Sequence, residues 1–162
     1  MNTGIQRSSA TPWGSWTTTT PAKTPKDRPK KNMMEIMAAH QIPYAATATV
    51  AYPEDMIEKM RKAASVRGMK FIHILSPCPT GWRIPSSMTV KIARLAVHTN
   101  VFPLYEIEDG ARYTLTMDSK NLPVREYLKP QGRFAHLTER EIEIIQRNVD
   151  RAWETLLKKA MY

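Results

Sequence analysis

A chain of 162 residues is long enough for one domain and too short for two ordinary ones, and it can bury a core without disulfides or a structural metal. With 42% hydrophobic and 24% charged residues, no apolar run near the roughly 20 residues of a membrane span and no export signal, the sequence reads as a cytoplasmic protein with no membrane partner. The net charge of +9 attracts polyanions of any kind, but no nucleic-acid-binding signature accompanies it, so nucleic acid is not expected as a partner.

Residues 1–31 offer neither helical nor strand periodicity and hold six basic side chains against Asp27 alone, which predicts a long basic loop that Trp13 and Trp16 could anchor. A Met-rich helix is expected at 32–40 and a Thr/Val/Ala strand at 44–50. A helix at 53–66 opens on Pro53, Glu54 and Asp55, whose placement suits a helix amino terminus, and ends near Gly68. Its spacing predicts that Met56, Ile57, Met60, Ala63 and Ala64 face the core. The apolar run Phe71 to Leu75 reads as a strand buried on both faces of a parallel sheet, so strand, helix and strand imply a crossover. Residues 86–98 form a further helix with Val90, Ala93, Ala96 and Val97 on one face. Val101 to Ile107 and Arg112 to Thr116, separated by Asp109-Gly110, predict a hairpin at an edge or on an arm. Thr138 to Glu141 is a capping box opening the longest helix, in which Ile142, Ile145, Val149, Ala152, Trp153, Leu156 and Leu157 recur at helical spacing.

Two stretches carry candidate chemistry. The single cysteine, Cys78, lies in Ser76-Pro77-Cys78-Pro79-Thr80-Gly81-Trp82, just past the end of the predicted parallel strand, where open α/β sheets place ligands. Flanking prolines stiffen that bend. An isolated cysteine is also commonly a small buried hydrophobe, and a nucleophile would need a base that the scattered His40, His73, His98 and His136 do not obviously supply. Zinc binding by this chain alone lacks any CxxC or HxxxH spacing. The second stretch, Asn2 to Pro12, offers hydroxyl, amide and carbonyl oxygens suited to a hard cation and a glycine that admits a diphosphate, although any polar loop has similar content.

In combination these blocks resemble the C-terminal half of the beta subunit of pyruvate:ferredoxin oxidoreductase, also called pyruvate synthase. The resemblance is carried by MNTGIQRSSATP at 1–12, TTTP at 18–21, IPYAATATVAYPEDMIEKMRKA at 42–63, KFIHILSPCPTGW at 70–82 and VREYLKPQGRFAHLT at 124–138. It implies an α/β fold: part of a thiamine-diphosphate-binding domain with a mostly parallel sheet flanked by helices, plus a C-terminal arm and long helix. The corresponding units are a cofactor-loop segment at 1–31, the thiamine-domain portion at 32–100 and an extension with hairpin and long helix at 101–162. The resemblance further implies coenzyme-A-dependent oxidative decarboxylation of a 2-oxoacid, pyruvate foremost, with electrons passing through iron–sulfur clusters to ferredoxin. Thr3, by its hydroxyl, and Ile5, by its main-chain carbonyl, would ligate Mg2+, while Asn2, Gly4 and Gln6 line the same thiamine diphosphate site. Cys78 would be the last ligand of a 4Fe-4S cluster. The family's GDG motif and three other cluster cysteines are absent here, so the expectation is a partial subunit, inactive alone, that needs the N-terminal half and the other subunits. The alternative expectation is a non-catalytic remnant or interaction module that keeps the fold.

Overall fold

The computed structural model describes residue 7 and residues 11–19 and 24–161. Four strands, β1 (Tyr44–Thr49), β2 (Lys70–Leu75), β3 (Tyr105–Glu108) and β4 (Arg112–Leu115), form one sheet in the order β2-β1-β3-β4. The helices are α1 (Met33–Ala39), α2 (Pro53–Ser65), α3 (Pro79–Trp82), α4 (Thr89–His98), α5 (Val124–Leu128) and α6 (Glu139–Ala160). Among the described residues no helix is long and apolar enough to cross a membrane.

The α/β class is as expected, and α2 carries the chain between the parallel strands β1 and β2, with Tyr44 opposite Lys70 and Thr49 opposite Leu75. The rest of the sheet is antiparallel, so it is mixed rather than mostly parallel. Positive φ at Asp109 (51°) and Gly110 (69°) closes a tight hairpin that leaves no room for a crossover helix. That hairpin is no outlying arm. β3 pairs with β1 and brings Tyr105 and Ile107 into the core, so of the hairpin's two strands β4 alone lies at an edge. The turn also presses on α1: a Cβ at Gly110 would lie 2.5 Å from the Ala38 carbonyl oxygen.

Helices cover both faces of the sheet. On one, α1 and α6 pack over Ala45, Tyr105, Ile107 and Tyr113, and Lys159 of α6 pairs with Glu35 of α1. On the other, α2 packs over Tyr44 and Ala46. β1 lies between these layers and is buried at every position. Its alanines let helix backbones approach closely, and its threonines serve the loops: Thr47 Oγ1 donates to the Pro103 carbonyl (2.8 Å) and accepts the Tyr105 amide (2.9 Å) where the β1–β3 ladder ends. The capping box holds as read, with Thr138 Oγ1 accepting the Glu141 amide and the Thr138 amide donating to Glu141.

Two expected faces are corrected. β2 is an edge strand, half-buried or exposed along its length, because β1 is its sole neighbour in the sheet. On α2, of the five residues expected to face the core, only Ala63 is buried, whereas Ile57 and Met60 are 46% and 40% exposed. The buried position is Lys59, whose ammonium donates to the Thr47 carbonyl (2.8 Å), Asp55 Oδ2 (2.7 Å) and Thr116 Oγ1 (2.7 Å). Three acceptors satisfy its three donors, so the helix turns its charged residue inward and its apolar stripe outward. A similar, smaller rotation exposes Val90 on α4 and buries Ile92 in its place.

The largest core cluster sits at the carboxyl ends of β1 and β2. It joins Trp82, Ile84, Ile92, Ala96, Phe102, Leu104, Tyr127 and Phe134 with half-buried Leu75 and Cys78.

Candidate functional site at the carboxyl end of the parallel strands

Beyond Leu75 the chain leaves the sheet through Ser76 and Pro77, and Cys78 becomes the capping residue of the single-turn helix α3. Pro79 suits the first helical position, where its missing amide costs nothing. The Cys78 Sγ accepts the Gly81 amide at 3.3 Å, and the Cys78 carbonyl accepts the Trp82 amide at 2.8 Å. This bend fixes a half-buried free thiol with an N–H aimed at its sulfur. Arg83, with a left-handed φ of 55°, ends the turn.

The bend meets the segment 131–134. Gly132 donates its amide to the Arg83 carbonyl, and a Cβ there would approach Arg83 Cβ to 2.8 Å, so the two backbones cross at a distance only glycine permits. The crossing carries Arg133 inward, leaving it 2% exposed. Its guanidinium lies 3.8 Å above the Trp82 ring centroid and 4.8 Å from that of Phe134. Nε donates to Gln131 Oε1 (2.9 Å) and Nη2 to the Tyr127 hydroxyl (3.0 Å). Among the described residues no carboxylate pairs with it. Burial pushes its pKa down, against the opposing electrostatic pull of Tyr127 and of the Cys78 sulfur.

Residues 11–19 and 24–31 hold no helix or strand, as expected for a loop, yet they are tied down. The Trp16 amide donates to the Arg133 carbonyl (2.9 Å), and the Trp16 ring stacks on His136 with centroids 4.0 Å apart. Gly14 and Lys26 join the two limbs of the loop, and the buried Lys26 ammonium donates to the Thr11 carbonyl. Lys30 lies over the Phe102 ring at 5.1 Å. Burial of its ammonium, reinforced by Arg133 and Lys26, pushes its pKa down to about 8. His73 meets the same Phe102 ring edge-on at 5.2 Å, and burial together with the Lys30 charge pushes its imidazole down to about 4. His98 is engaged with the Tyr52 hydroxyl. Cys78 therefore has no histidine base bonded to it among the described residues, and the nucleophile reading finds no support.

No protein-family model matches the chain. The pyruvate synthase subunit PorB of Methanocaldococcus jannaschii is 56% identical over 153 aligned residues, which cover 93% of this chain and 51% of that protein. The ketoisovalerate oxidoreductase subunit VorB of Pyrococcus abyssi is 51% identical over 166 aligned positions, covering 99% and 53% respectively. A second PorB, from Methanothermobacter marburgensis, is 51% identical across 96% of this chain. The chain belongs to the PorB/VorB family of oxidoreductase subunits. It spans about half the length of the curated relatives it matches.

Of the site residues that the PorB/VorB likeness suggests, the structure places Cys78 alone. Asn2, Thr3, Gly4, Ile5 and Gln6 lie outside the described residues, and so does any test of the thiamine diphosphate and Mg2+ site. For an iron–sulfur centre the surroundings of Cys78 fit one corner: a stiff bend and an amide donor on sulfur, which is a usual device for tuning such centres. They do not fit a whole centre. Among the described residues no group of three or more His, Cys, Asp or Glu could hold a metal, so the remaining ligands would have to come from elsewhere. Arg133 and Lys30 were not singled out from the sequence. The available signal was an arginine set between Gly132 and Phe134 in one of the resemblance blocks.

Proposed function

We propose that this chain forms part of the beta subunit of a cytoplasmic 2-oxoacid:ferredoxin oxidoreductase acting on pyruvate or a branched-chain 2-oxoacid with coenzyme A. Within it, Cys78 supplies one ligand to a 4Fe-4S cluster, and residues 2–6 contribute to the thiamine diphosphate and Mg2+ site, with Thr3 and Ile5 as metal ligands. When bound, thiamine diphosphate supplies the electron sink for decarboxylation and the cluster relays the released electrons singly to ferredoxin. The chain's own residues hold and orient. Pro77, Pro79 and the Gly81 amide fix the sulfur, Trp82 and Phe134 exclude water behind it, and the Trp16–His136 stack carries the opening segment toward this end of the sheet. The observation that carries the reading is the position of the single cysteine, at the carboxyl end of a parallel strand pair with an N–H on its sulfur.

The partners follow from the same geometry and from the share of the relatives that the chain spans. β2 offers an unpaired edge with Ile74 42% exposed, and the outward stripe of α2 adds Ile57 and Met60, a surface suited to the other half of a PorB-type subunit. The test is anaerobic co-expression of this chain with that other half and the remaining subunits, followed by 2-oxoacid- and coenzyme-A-dependent reduction of a low-potential dye. Activity and a cluster's share of iron should both be lost in Cys78→Ser. Equal iron and activity with serine would refute the ligand assignment, and a complex that assembles with neither iron nor activity would leave a non-catalytic interaction module.

A further inference from the structure

An ammonium resting on an aromatic ring with no acid beside it keeps its charge uncompensated, because a cation–π contact is worth only about 0.5–2 kcal/mol and neutralises nothing. Lys30 is such a group. Its Nζ lies 5.1 Å from the centroid of the buried Phe102 ring, and among the described residues it has no hydrogen bond or ion pair. The charges that act on it are those of Arg133 and Lys26, which are cations as well. His73 of β2 meets the same ring edge-on at 5.2 Å, and its imidazole likewise bonds to no protein group among the described residues. Both residues are half-buried rather than enclosed. Phe102 thus collects an ammonium from the opening loop and an imidazole from an edge strand, beside the carboxyl ends of β1 and β2, where open α/β sheets receive ligands.

We propose that Lys30 and His73 form an oxyanion-binding site against Phe102, with the ammonium supplying the charge and the imidazole a neutral N–H. The site stands independently of any role for Cys78. Lysine is a compact point charge with three donors, and it takes phosphoryl and carboxylate groups alike. A second cation at His73 would repel it, but burial and the Lys30 charge push that imidazole's pKa down to about 4. Near neutral pH His73 therefore adds a donor without adding repulsion. Phe102 and the half-buried Phe71, whose ring centroid lies 6.1 Å from that of His73, keep water from part of the site, which strengthens the attraction between ammonium and anion. The ligand chemistry is an anionic oxygen group. Its two sources are a phosphate ester, as on coenzyme A, and a free carboxylate, as on a 2-oxoacid.

The test titrates the full chain with sodium sulfate as the phosphoryl probe and, separately, with sodium acetate as the carboxylate probe, at an ionic strength held constant with sodium chloride. Binding is followed by nuclear magnetic resonance through the Lys30 ε-methylene and His73 ring signals. Both signals should saturate together, with one dissociation constant, for at least one probe. Tighter sulfate identifies a phosphate ester as the source, and tighter acetate a carboxylate. Lys30→Gln should weaken the tighter probe at least about tenfold, and His73→Phe, which keeps a ring on Phe102, about threefold. Lys31→Gln, which removes an exposed charge from the same loop, should cost less than about twofold. Lys30→Arg should stay within about threefold of the wild type, and it decides the matter where the glutamine variant folds poorly. The site is overturned if neither probe saturates the two signals, as when an acidic side chain of a partner is the true occupant. It is overturned equally by unchanged affinity in Lys30→Gln, or by a loss in Lys31→Gln as large as that in Lys30→Gln, which would mean diffuse attraction to a basic loop.

Discussion

β1 and β2 are partners in one parallel ladder, yet the less apolar of the two is the buried one. β1 is built from Tyr44, three alanines and two threonines and is covered throughout, whereas β2 contains Phe71, Ile72, Ile74 and Leu75 and is half open. Place in the strand order decides burial: β1 has β2 and β3 beside it and helices on both faces, while β2 has a neighbour on one side only. Small residues are what a strand needs when two helix layers press on it. Large apolar residues on a half-open strand suit a surface that another polypeptide covers, in keeping with a chain that spans half its relatives.

This contrast can be broken at its strongest point first. Lys59→Ala would strip the Thr47 carbonyl of β1 and the 10% exposed Asp55 of their partner, and a loss of about 3–5 kcal/mol is expected from chemical denaturation. A loss below about 1 kcal/mol would mean that the ammonium is not what seats α2 on β1. Next, Ala46→Leu would force bulk between β1 and α2 and should cost about 1–3 kcal/mol.

On β2 the effects should be smaller and of another kind. The pKa of His73 in the folded chain, about 4, lies below the ordinary value of 6.5, so between these pH values the unfolded chain takes up a proton that the folded one refuses. Stability should therefore fall as pH drops from 6.5 to 4, by on the order of 1 kcal/mol from this group, with the loss complete below pH 4. His73→Phe should flatten that part of the wild-type curve of melting temperature against pH, and parallel curves would show that the imidazole is not held neutral. Ile74→Lys should change the stability of the chain by less than about 0.5 kcal/mol while sharply reducing co-purification with the complementary half. Undiminished co-purification would show that this edge is not the meeting surface.

Much of the fold was legible because its signals are local. Pro53 with two acids, the Thr138–Glu141 box and the Asp109-Gly110 turn each act through neighbouring residues, and each stands where it was read. What was not legible depends on distant partners. The inward rotation of α2 follows from acceptors on β1 and at Thr116, which no period within 53–65 can reveal. The pairing of β3 with β1, rather than its projection as an arm, likewise follows from which strands lie between helix layers. Cys78 was singled out from its flanking prolines and its place after a strand, a pattern written in consecutive residues. Arg133 was missed because its setting is assembled from Trp82, Tyr127 and Gln131, and an arginine in sequence carries no mark of being enclosed.

The hydrogen bond from Trp16 to Arg133 has a kinetic implication. Its two ends are made at opposite times during synthesis, and the Trp16–His136 stack and the Gly14–Leu137 contact share that separation. Trp16 also meets Arg83, but its backbone bond and its ring stack cannot form until residues 133–136 have left the ribosome. These are long-range closures, like the Glu35–Lys159 pair, and of the kind that form slowly. The order of events is built into the sequence: residues 14–16 complete their docking only after the segment at 133–137 has been made.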